Sequence, residues 1–233
     1  VRRAINQPLG RRAYVKGLRY GGAMASSAMP PRPMGLWGLN AQEVAALPGY
    51  RDPARDRADA RRLLAEAGFG PGKPLRVELA TRSWALQTDL AVFVQEQLRQ
   101  VGIESTLKQM DSAVWYPALT RRDYTIAANL TAVGLDDPDA FFYENYKCGS
   151  TRNYSEYCSP EVDDLIDRQS REIDPKKRFE LVMQIQRKLE ADVAKPILGW
   201  RFGYFVQWPH VKNLVPHHVI YNYARMQEVW LDR

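Results

Sequence analysis

The sequence contains no run of about 18 consecutive apolar residues, the length that a membrane-spanning helix needs. Cysteine occurs only twice and histidine three times, and the Gly-x-Ser-x-Gly motif is absent. These shortages argue against a serine hydrolase of the nucleophile-elbow type and against a histidine-based metal centre. Long runs of like charge are also absent, because acidic and basic residues are interleaved through most of the chain. The net charge of +6 therefore does not predict a nucleic-acid interface.

Two segments suggest a cofactor or metal at first but fail on their context. Residues 68–73 look like a phosphate-binding loop, yet they follow a predicted helix, precede a strand and lack the Ser or Thr that should come after the lysine. The acidic turn at residues 136–139 lacks the alternating ligands and the central glycine of a calcium loop. We expect no metal site and no cofactor. The histidines also lack metal-ligand spacing: His210, His217 and His218.

The middle of the chain alternates between strand and helix patterns. Apolar runs at residues 75–81, 103–109 and 124–130 predict strands, and amphipathic stretches at 86–101 and 112–121 predict helices between them. Such alternation is typical of a partly parallel sheet covered by helices, so the predicted fold class is α/β. Ligands on these sheets bind beyond the carboxyl ends of the strands. The segments that follow the first and third strands are therefore candidate sites.

Helical patterns flank this region at residues 1–22, 56–67, 160–171 and 175–192, and the first is broken into two helices at residues 8–10. The segment from Gly21 to Pro53 keeps no regular period, and we expect Met34 and Trp37 to anchor it. A further strand is predicted at residues 196–206. Acidic side chains on the third of these helices are expected to face solvent: Asp163, Asp164 and Asp167. Basic residues near the start of the chain are interpreted as an exposed helical face: Arg2, Arg3, Arg11, Arg12, Lys16 and Arg19.

The most specific stretch spans residues 131–166, where a strand end runs into an acidic turn, an aromatic helix start and two spaced cysteines. It contains Gly-x-Asp-Asp-Pro-Asp-x-Phe-Phe and then Cys-Gly-Ser-x-x-Asn-Tyr-x-x-Tyr-Cys-Ser-Pro-Glu-Val-Asp-x-Leu-Ile. This order resembles the C-terminal half of the family 5 extracellular solute-binding proteins, the peptide- and nickel-type components of ABC importers. Shorter segments extend the resemblance over about residues 1–200: 1–6, 60–68, 98–103 and 174–178.

The resemblance implies a periplasmic-binding-protein-like fold of type II. Residues 1–200 would form a C-terminal α/β ligand-binding lobe with a mixed sheet flanked by helices. Residues 21–55 would cross over this lobe, and residues 201–233 would return toward an N-terminal lobe. The implied function is non-enzymatic and periplasmic: capture of a peptide-like or other small polar solute and its delivery to ABC permease subunits in the membrane.

Candidate ligand-binding residues come from both predicted strand ends: Arg82, Trp84, Thr131, Val133, Gly134, Asp136 and Asp137. Peptide-binding members of the family hold the ligand's ammonium group with an aspartate three residues before the acid–proline step. Here that position is Gly134, which has no side chain. Asp136 is the nearest substitute, since residues two apart share a face of extended backbone. Either Asp136 has taken over the role or the ligand has no ammonium group there, and we favour a different anchor. One acid of this turn is also expected to cap the helix near Phe141.

The two cysteines, Cys148 and Cys158, enclose a short polar loop and have no further metal ligands nearby. In a chain with no other cysteine this arrangement predicts a disulfide formed in an oxidising compartment.

The chain opens with Val-Arg-Arg and lacks the apolar core of a signal peptide. We therefore expect it to be the C-terminal part of a longer protein, with the N-terminal lobe of the same protein as its partner. A second interpretation remains: an α/β hydrolytic or metal-dependent enzyme domain that uses the acids of residues 136–139. Loss of thermal stability in a chelator would favour that interpretation.

Overall fold

The structure, a computed structural model, describes residues 1–131, 135–204, 206–215 and 226–232. Within these ranges, no helix has both the length and the apolar character to cross a membrane. The α-helices are α1 (Arg2–Asn6), α2 (Arg11–Ala13), α3 (Ala41–Ala46), α4 (Pro53–Glu66), α5 (Ala85–Arg99), α6 (Ser112–Arg121), α7 (Pro138–Asn145), α8 (Pro160–Arg171) and α9 (Pro175–Asp192). A 3-10 helix (Gln7–Leu9) follows α1, and a π-helix (Tyr14–Leu18) follows α2. The strands are β1 (Ala23–Met24), β2 (Leu75–Arg82), β3 (Ile103–Met110), β4 (Ile126–Ala128), β5 (Trp200–Arg201), β6 (Val211–Lys212) and β7 (Trp230–Leu231).

A parallel three-stranded sheet with the order β3–β2–β4 lies at the centre of the fold. β2 pairs with β3 along its whole length, so that Arg82 lies opposite Met110. β4 pairs with the carboxyl half of β2, where Ala128 lies opposite Thr81. The predicted parallel pairing is confirmed, although β4 is shorter than the predicted strand. The antiparallel pairs, β1 with β5 and β6 with β7, form separate two-stranded sheets.

Successive residues of a strand point to opposite faces of the sheet, and helices pack against the side chains on both faces. Leu79 belongs to a core that also contains buried side chains of α1, α4 and α5, such as Ala4, Leu64 and Leu98. Its neighbour Ala80 packs on the other side with Trp115 of α6. The sheet is therefore the middle layer of an α/β unit, as the alternation of patterns predicted.

A second core lies between residues 21–55, which we term the crossing segment, and the helices that follow the acidic turn. Its buried residues include Phe142, Ile166 and Ile185 of α7, α8 and α9, and Met29 and Tyr50 of the crossing segment. α7, α8 and α9 begin at an Asp-Pro or Ser-Pro step whose first side chain accepts backbone hydrogen bonds: Asp137, Ser159 and Asp174. Asp52 and Pro53 do the same for α4, which therefore starts three residues earlier than predicted.

The crossing segment is less irregular than predicted. Asn40 and Glu43 form a reciprocal capping box that starts the short helix α3. β1, at the beginning of the segment, pairs with β5. In the described part of residues 196–206, where a strand was predicted, β5 is the only strand that forms. A helix of six residues is too short to show a clear apolar period, so the pattern gave no sign of it.

The disulfide between Cys148 and Cys158 is confirmed, with Cα atoms 4.7 Å apart. The loop that it closes is tied to α8, because the Cys148 backbone N–H donates a 3.2 Å hydrogen bond to Asp163. Asp167 accepts hydrogen bonds from the Tyr143 hydroxyl, at 2.7 Å, and from Lys147. The expectation that Asp163 and Asp167 serve only as a solvent face was therefore wrong.

Candidate functional site

The carboxyl ends of β2 and β4 lie side by side. The Thr81 hydroxyl donates a 3.2 Å hydrogen bond to the Ala128 carbonyl oxygen. Just beyond, Gln87 of α5 donates a 2.8 Å hydrogen bond from Nε2 to Asn129 Oδ1. The segment after β2 and the segment after β4 therefore start at the same edge of the sheet, which is where ligands bind in parallel α/β sheets.

Arg82 and Trp84 form a cluster with Tyr116 of α6, which places one cation beside two aromatic rings. The Arg82 guanidinium carbon lies 5.4 Å from the ring centroid of Trp84 and 5.6 Å from that of Tyr116. Arg82 also donates hydrogen bonds from Nε to Ser112 Oγ (2.7 Å) and from Nη1 to Tyr116 Oη (3.2 Å). Trp84 is 43% exposed and Tyr116 is 50% exposed. The cluster thus holds a guanidinium in place beside two rings that face solvent.

Sequence reasoning did not identify Ser112 and Tyr116. They lie one helical turn apart on α6 and so share a face. The pairing of Arg82 with Met110 brings the start of α6 beside the end of β2. That register depends on how the two strands pack, and it could not be read from apolar runs alone.

The segment between β4 and the acidic turn is only partly described. Thr131 is exposed just beyond Leu130, at the edge of the sheet. Val133 and Gly134 lie outside the described residues. Ligand contacts by these three residues stay predictions.

Asp136 contacts the crossing segment. Its Oδ2 accepts a 3.0 Å hydrogen bond from the Leu36 backbone N–H. Its carbonyl oxygen accepts a 3.2 Å hydrogen bond from Trp37 Nε1. Asp136 therefore joins the loop after β4 to residues 36 and 37 of the crossing segment.

Asp137 is the acid that caps α7; the sequence predicted that one acid of the turn would do so without naming which. Its Oδ1 accepts a 2.9 Å hydrogen bond from the Asp139 backbone N–H at the start of α7. The same carboxylate takes two hydrogen bonds from Arg178 of α9, at 3.1 and 3.2 Å. Asp139 accepts a 2.8 Å hydrogen bond from Ser170 and another from Gln169. Both carboxylates are therefore engaged in holding the acidic turn against α8 and α9.

Trp37 anchors the crossing segment, as predicted. Its ring stacks on Phe179 with centroids 6.4 Å apart, and the Arg178 guanidinium lies 5.0 Å from the Trp37 ring. Its carbonyl oxygen accepts a 2.8 Å hydrogen bond from Gln186 of α9. Arg178 thus contacts the acidic turn and the crossing segment at once.

Residues 1–153 match the family described as bacterial extracellular solute-binding proteins, family 5 Middle. The chain belongs to this family. The resemblance read from the motif around the acidic turn is thereby confirmed.

Relatives with assigned functions include two peptide-binding proteins. The dipeptide-binding protein of Escherichia coli (strain K12) is 27% identical over 203 residues, covering 80% of this chain and 34% of that protein. Di/tripeptide-binding protein 2 of Pseudomonas aeruginosa (strain UCBPP-PA14) is 26% identical over 192 residues, with the same two coverages. The chain therefore spans about a third of the length of the curated relatives it matches.

Solved structures show the same fold. OppA of Burkholderia pseudomallei superposes on the chain with a TM-score of 0.83 at 23% identity, covering 100% of this chain and 45% of that one. DppA of Helicobacter pylori, solved with the peptide STSA, also gives a TM-score of 0.83, at 22% identity, with 100% and 44% coverage. The predicted α/β fold of the type II periplasmic binding proteins is confirmed.

Replacing Arg178 with methionine is expected to loosen the acidic turn. The variant removes both hydrogen bonds to Asp137 and should lower the free energy of unfolding by about 2 kcal/mol, since hydrogen bonds to charged groups are worth roughly 1.5–3 kcal/mol each and this pair is partly exposed. Denaturant unfolding measures the loss, and hydrogen exchange of the Asp139 amide reports it locally. Arg168→Met is the matched control, because it breaks an exposed Arg–Asp pair within α8 and should cost less than about 0.5 kcal/mol. Equal losses in the two variants would contradict the anchoring role of Arg178.

Proposed function

We propose that the chain is the C-terminal part of the substrate-binding component of an ABC importer, which captures a peptide-like or other small polar solute between two lobes and delivers it to the permease. Membership in a family of extracellular solute-binding proteins supports a binding role outside the cytoplasm, in the periplasm. The names of the relatives, a dipeptide-binding and a di/tripeptide-binding protein, favour a peptide-like ligand. The function is binding without catalysis.

The observation that carries the ligand site is the cluster of Arg82, Trp84 and Tyr116 at the carboxyl ends of the parallel strands. Ser112 and Tyr116 occupy Arg82 Nε and Nη1, and Nη2 has no hydrogen-bond partner among the described residues. An arginine oriented in this way suits a carboxylate or a carbonyl oxygen. The two exposed rings suit the flat or apolar part of the same ligand.

The rest of the acidic turn supports binding over catalysis. Asp137 and Asp139 are occupied by a helix cap and by contacts with α8 and α9. We propose Asp136 for a cationic group of the ligand because it is the nearest acid to the position of Gly134, and its contact with Leu36 would place such a group next to the crossing segment. We propose that Thr131, Val133 and Gly134 also contact the ligand.

A second lobe is the proposed partner that closes the site. A ligand closes two lobes only if it binds the closed state more tightly than the open one. Several apolar side chains of the C-terminal tail are exposed in this chain, among them Tyr204 (77%), Trp208 (73%) and Trp230 (50%). Exposed aromatic groups of this kind mark a contact surface, and we assign it to the N-terminal lobe. The closed form then engages the permease subunits.

The test uses the full-length protein and calorimetric titration with trialanine and other short peptides. Arg82→Ala and Trp84→Ala should each weaken binding about tenfold or more, which corresponds to about 1.4 kcal/mol. Arg76→Ala is the matched control, since Arg76 lies at the opposite end of the same strand and pairs with Glu104 on the surface. Asp136→Ala should have the same effect as the two site variants only for ligands with an ammonium group.

Two outcomes would overturn the proposal. One is peptide binding that survives both site variants while Arg76→Ala weakens it. The other is a protein that no peptide stabilises in a thermal-shift screen but that a chelator destabilises, which would favour the metal-dependent enzyme.

A further inference from the structure

The positive charge of the chain is concentrated in its first third. Residues 1–67 contain 12 lysines and arginines against five acidic residues, whereas residues 68–233 contain 21 against 22. The net charge of +6 therefore arises from the segment that forms α1, α2 and α4. A charge asymmetry of this kind within one domain indicates a surface for an anionic partner.

The packing of these helices turns their cations outward. Ala4, Tyr14 and Leu64 are buried in the core that α1, the segment after α2, and α4 share against the central sheet. The polar sides of the helices therefore lie on the outside of this layer. Six exposed cations define what we term the basic face: Arg2, Arg3, Arg12, Lys16, Arg55 and Arg61.

The acidic residues of the same segment do not neutralise the basic face. Asp56 and Asp59 pair with Arg51, and Glu66 pairs with Arg62. Asp52 caps α4. Among the residues that the structure describes, no cation of the basic face is in an ion pair.

Two of the six cations do have partners, but the partners are neutral. Arg3 donates a hydrogen bond to the Ala191 carbonyl oxygen (3.2 Å), and Arg61 to that of Gln100 (2.7 Å). These bonds restrain the two side chains and leave their charges uncompensated. All six cations of the basic face therefore keep a positive charge that no acidic side chain pairs with among the described residues.

We propose that the basic face docks the protein onto the anionic phospholipid headgroups of the membrane. The cations are spread over several helices, which suits an extended surface of negative charge better than a single small anion. Tyr20, in the same stretch of chain, is 93% exposed, and exposed amphipathic rings are typical of side chains at the headgroup level. Docking would raise the local concentration of the loaded protein near a membrane permease. It does not depend on the proposed ligand site, which lies at the strand ends.

Co-sedimentation with lipid vesicles tests the proposal. The protein should bind vesicles of phosphatidylcholine mixed with phosphatidylglycerol, should not bind phosphatidylcholine alone, and should be released as salt screens the charges. The triple variant Arg2→Glu, Arg12→Glu, Lys16→Glu should weaken binding to the anionic vesicles at least about tenfold. Circular dichroism confirms that it is folded, and the milder Arg12→Gln, Lys16→Gln variant should lose part of the affinity.

The control triple is Lys176→Glu, Lys177→Glu, Arg187→Glu. These exposed residues lie on α9, and their replacement changes the net charge by the same amount. If the control loses as much affinity as the first triple, binding follows net charge and the basic face is not a docking surface. Binding to soluble polyglutamate with none to anionic vesicles would overturn the lipid assignment in favour of an acidic protein partner. Equal binding to neutral and anionic vesicles would also overturn it.

Discussion

Replacing Arg11 with methionine is expected to lower the free energy of unfolding by about 4 kcal/mol or more. Arg11 is only 1% exposed, yet it is charged. Its Nε donates a 2.8 Å hydrogen bond to the Ile197 carbonyl oxygen, and its Nη1 donates to those of Asn6 (2.7 Å) and Gly49 (2.9 Å). Its Nη2 donates to the side chain of Asn6. Methionine fills similar space but leaves these buried acceptors without a donor.

The position of Arg11 makes this loss global. Asn6 belongs to α1 beside the core of the central sheet, while Gly49 and Ile197 flank the second core. The Arg11 guanidinium also lies 4.0 Å from the ring centroid of Tyr50, a buried residue of that second core. One side chain therefore bridges three segments that meet between the two cores, and its removal should destabilise both.

Arg12→Met is the matched control, because the neighbouring Arg12 is exposed and has no ion pair among the described residues. It should change stability by less than about 0.5 kcal/mol. Arg11→Lys should recover only part of the loss, because an ammonium group cannot reproduce the planar fork. Denaturant unfolding followed by circular dichroism measures all three variants. If Arg11→Met unfolds at the same denaturant concentration as Arg12→Met, Arg11 does not hold the two cores together.

Arg11 also shows where the sequence stops being informative. The basic residues near the start of the chain were interpreted as one exposed face, and for Arg11 that interpretation is wrong. A helical period indicates which residues face inward, but it assumes that the inward residues are apolar. A cation can be buried here because it donates hydrogen bonds to the carbonyl groups of Gly49 and Ile197, which lie 38 and 186 residues away along the chain.

The central sheet, by contrast, was predictable from the sequence. Its strands are bounded by glycines and polar turns, and the helices between them carry long apolar periods, so β2, α5 and β3 match their predicted ranges within two residues. The Ser-Pro and Asp-Pro steps likewise fixed the starts of α8 and α9, whereas α7 begins at Pro138, three residues before the start predicted at Phe141. Local signals determine these elements, and tertiary contacts only confirm them.

The candidate site was predictable only in part. Arg82 and Trp84 were identified because they follow a strand of a parallel sheet. Tyr116 was missed because its place beside them depends on the register between β2 and β3. The contacts of Asp136 with the crossing segment join residues about 100 positions apart and have no local signal. Partners that are far apart in sequence could not be inferred from spacing alone.

Glu190→Gln is expected to stabilise the protein at neutral pH. Glu190 lies in the last turn of α9, where the helix dipole already disfavours a negative charge. Burial raises the pKa of its carboxyl group to about 7, and the nearby Arg11 guanidinium opposes that rise. Burial is the main reason that the pKa values of the Tyr50 and Tyr146 hydroxyl groups are raised, and the negative charge of Glu190 raises both further.

The direction of the pH dependence follows from proton binding. Between the ordinary pKa of 4.5 and about 7, the folded protein holds a proton on Glu190 that the unfolded chain has released. The contribution of Glu190 to the free energy of unfolding is therefore full below about pH 4.5 and is lost as pH rises toward 7. Glutamine does not ionise, so the variant should gain on the wild type through this window, by about 2–3 kcal/mol in total. Glu180→Gln, at an exposed position of the same helix, should show no such gain.

Combining the two variants shows whether Arg11 and Glu190 act on each other. Without Arg11 the cation that lowers the pKa of Glu190 is gone, so its carboxylate becomes more costly to bury. Glu190→Gln should then stabilise the Arg11→Met protein more than it stabilises the wild type, and the difference is the coupling free energy between the two groups. The measurement compares the free energies of unfolding of the four proteins at neutral pH. Strictly additive effects would show that Arg11 stabilises the fold through its hydrogen bonds alone and that its charge does not act on the carboxylate of Glu190.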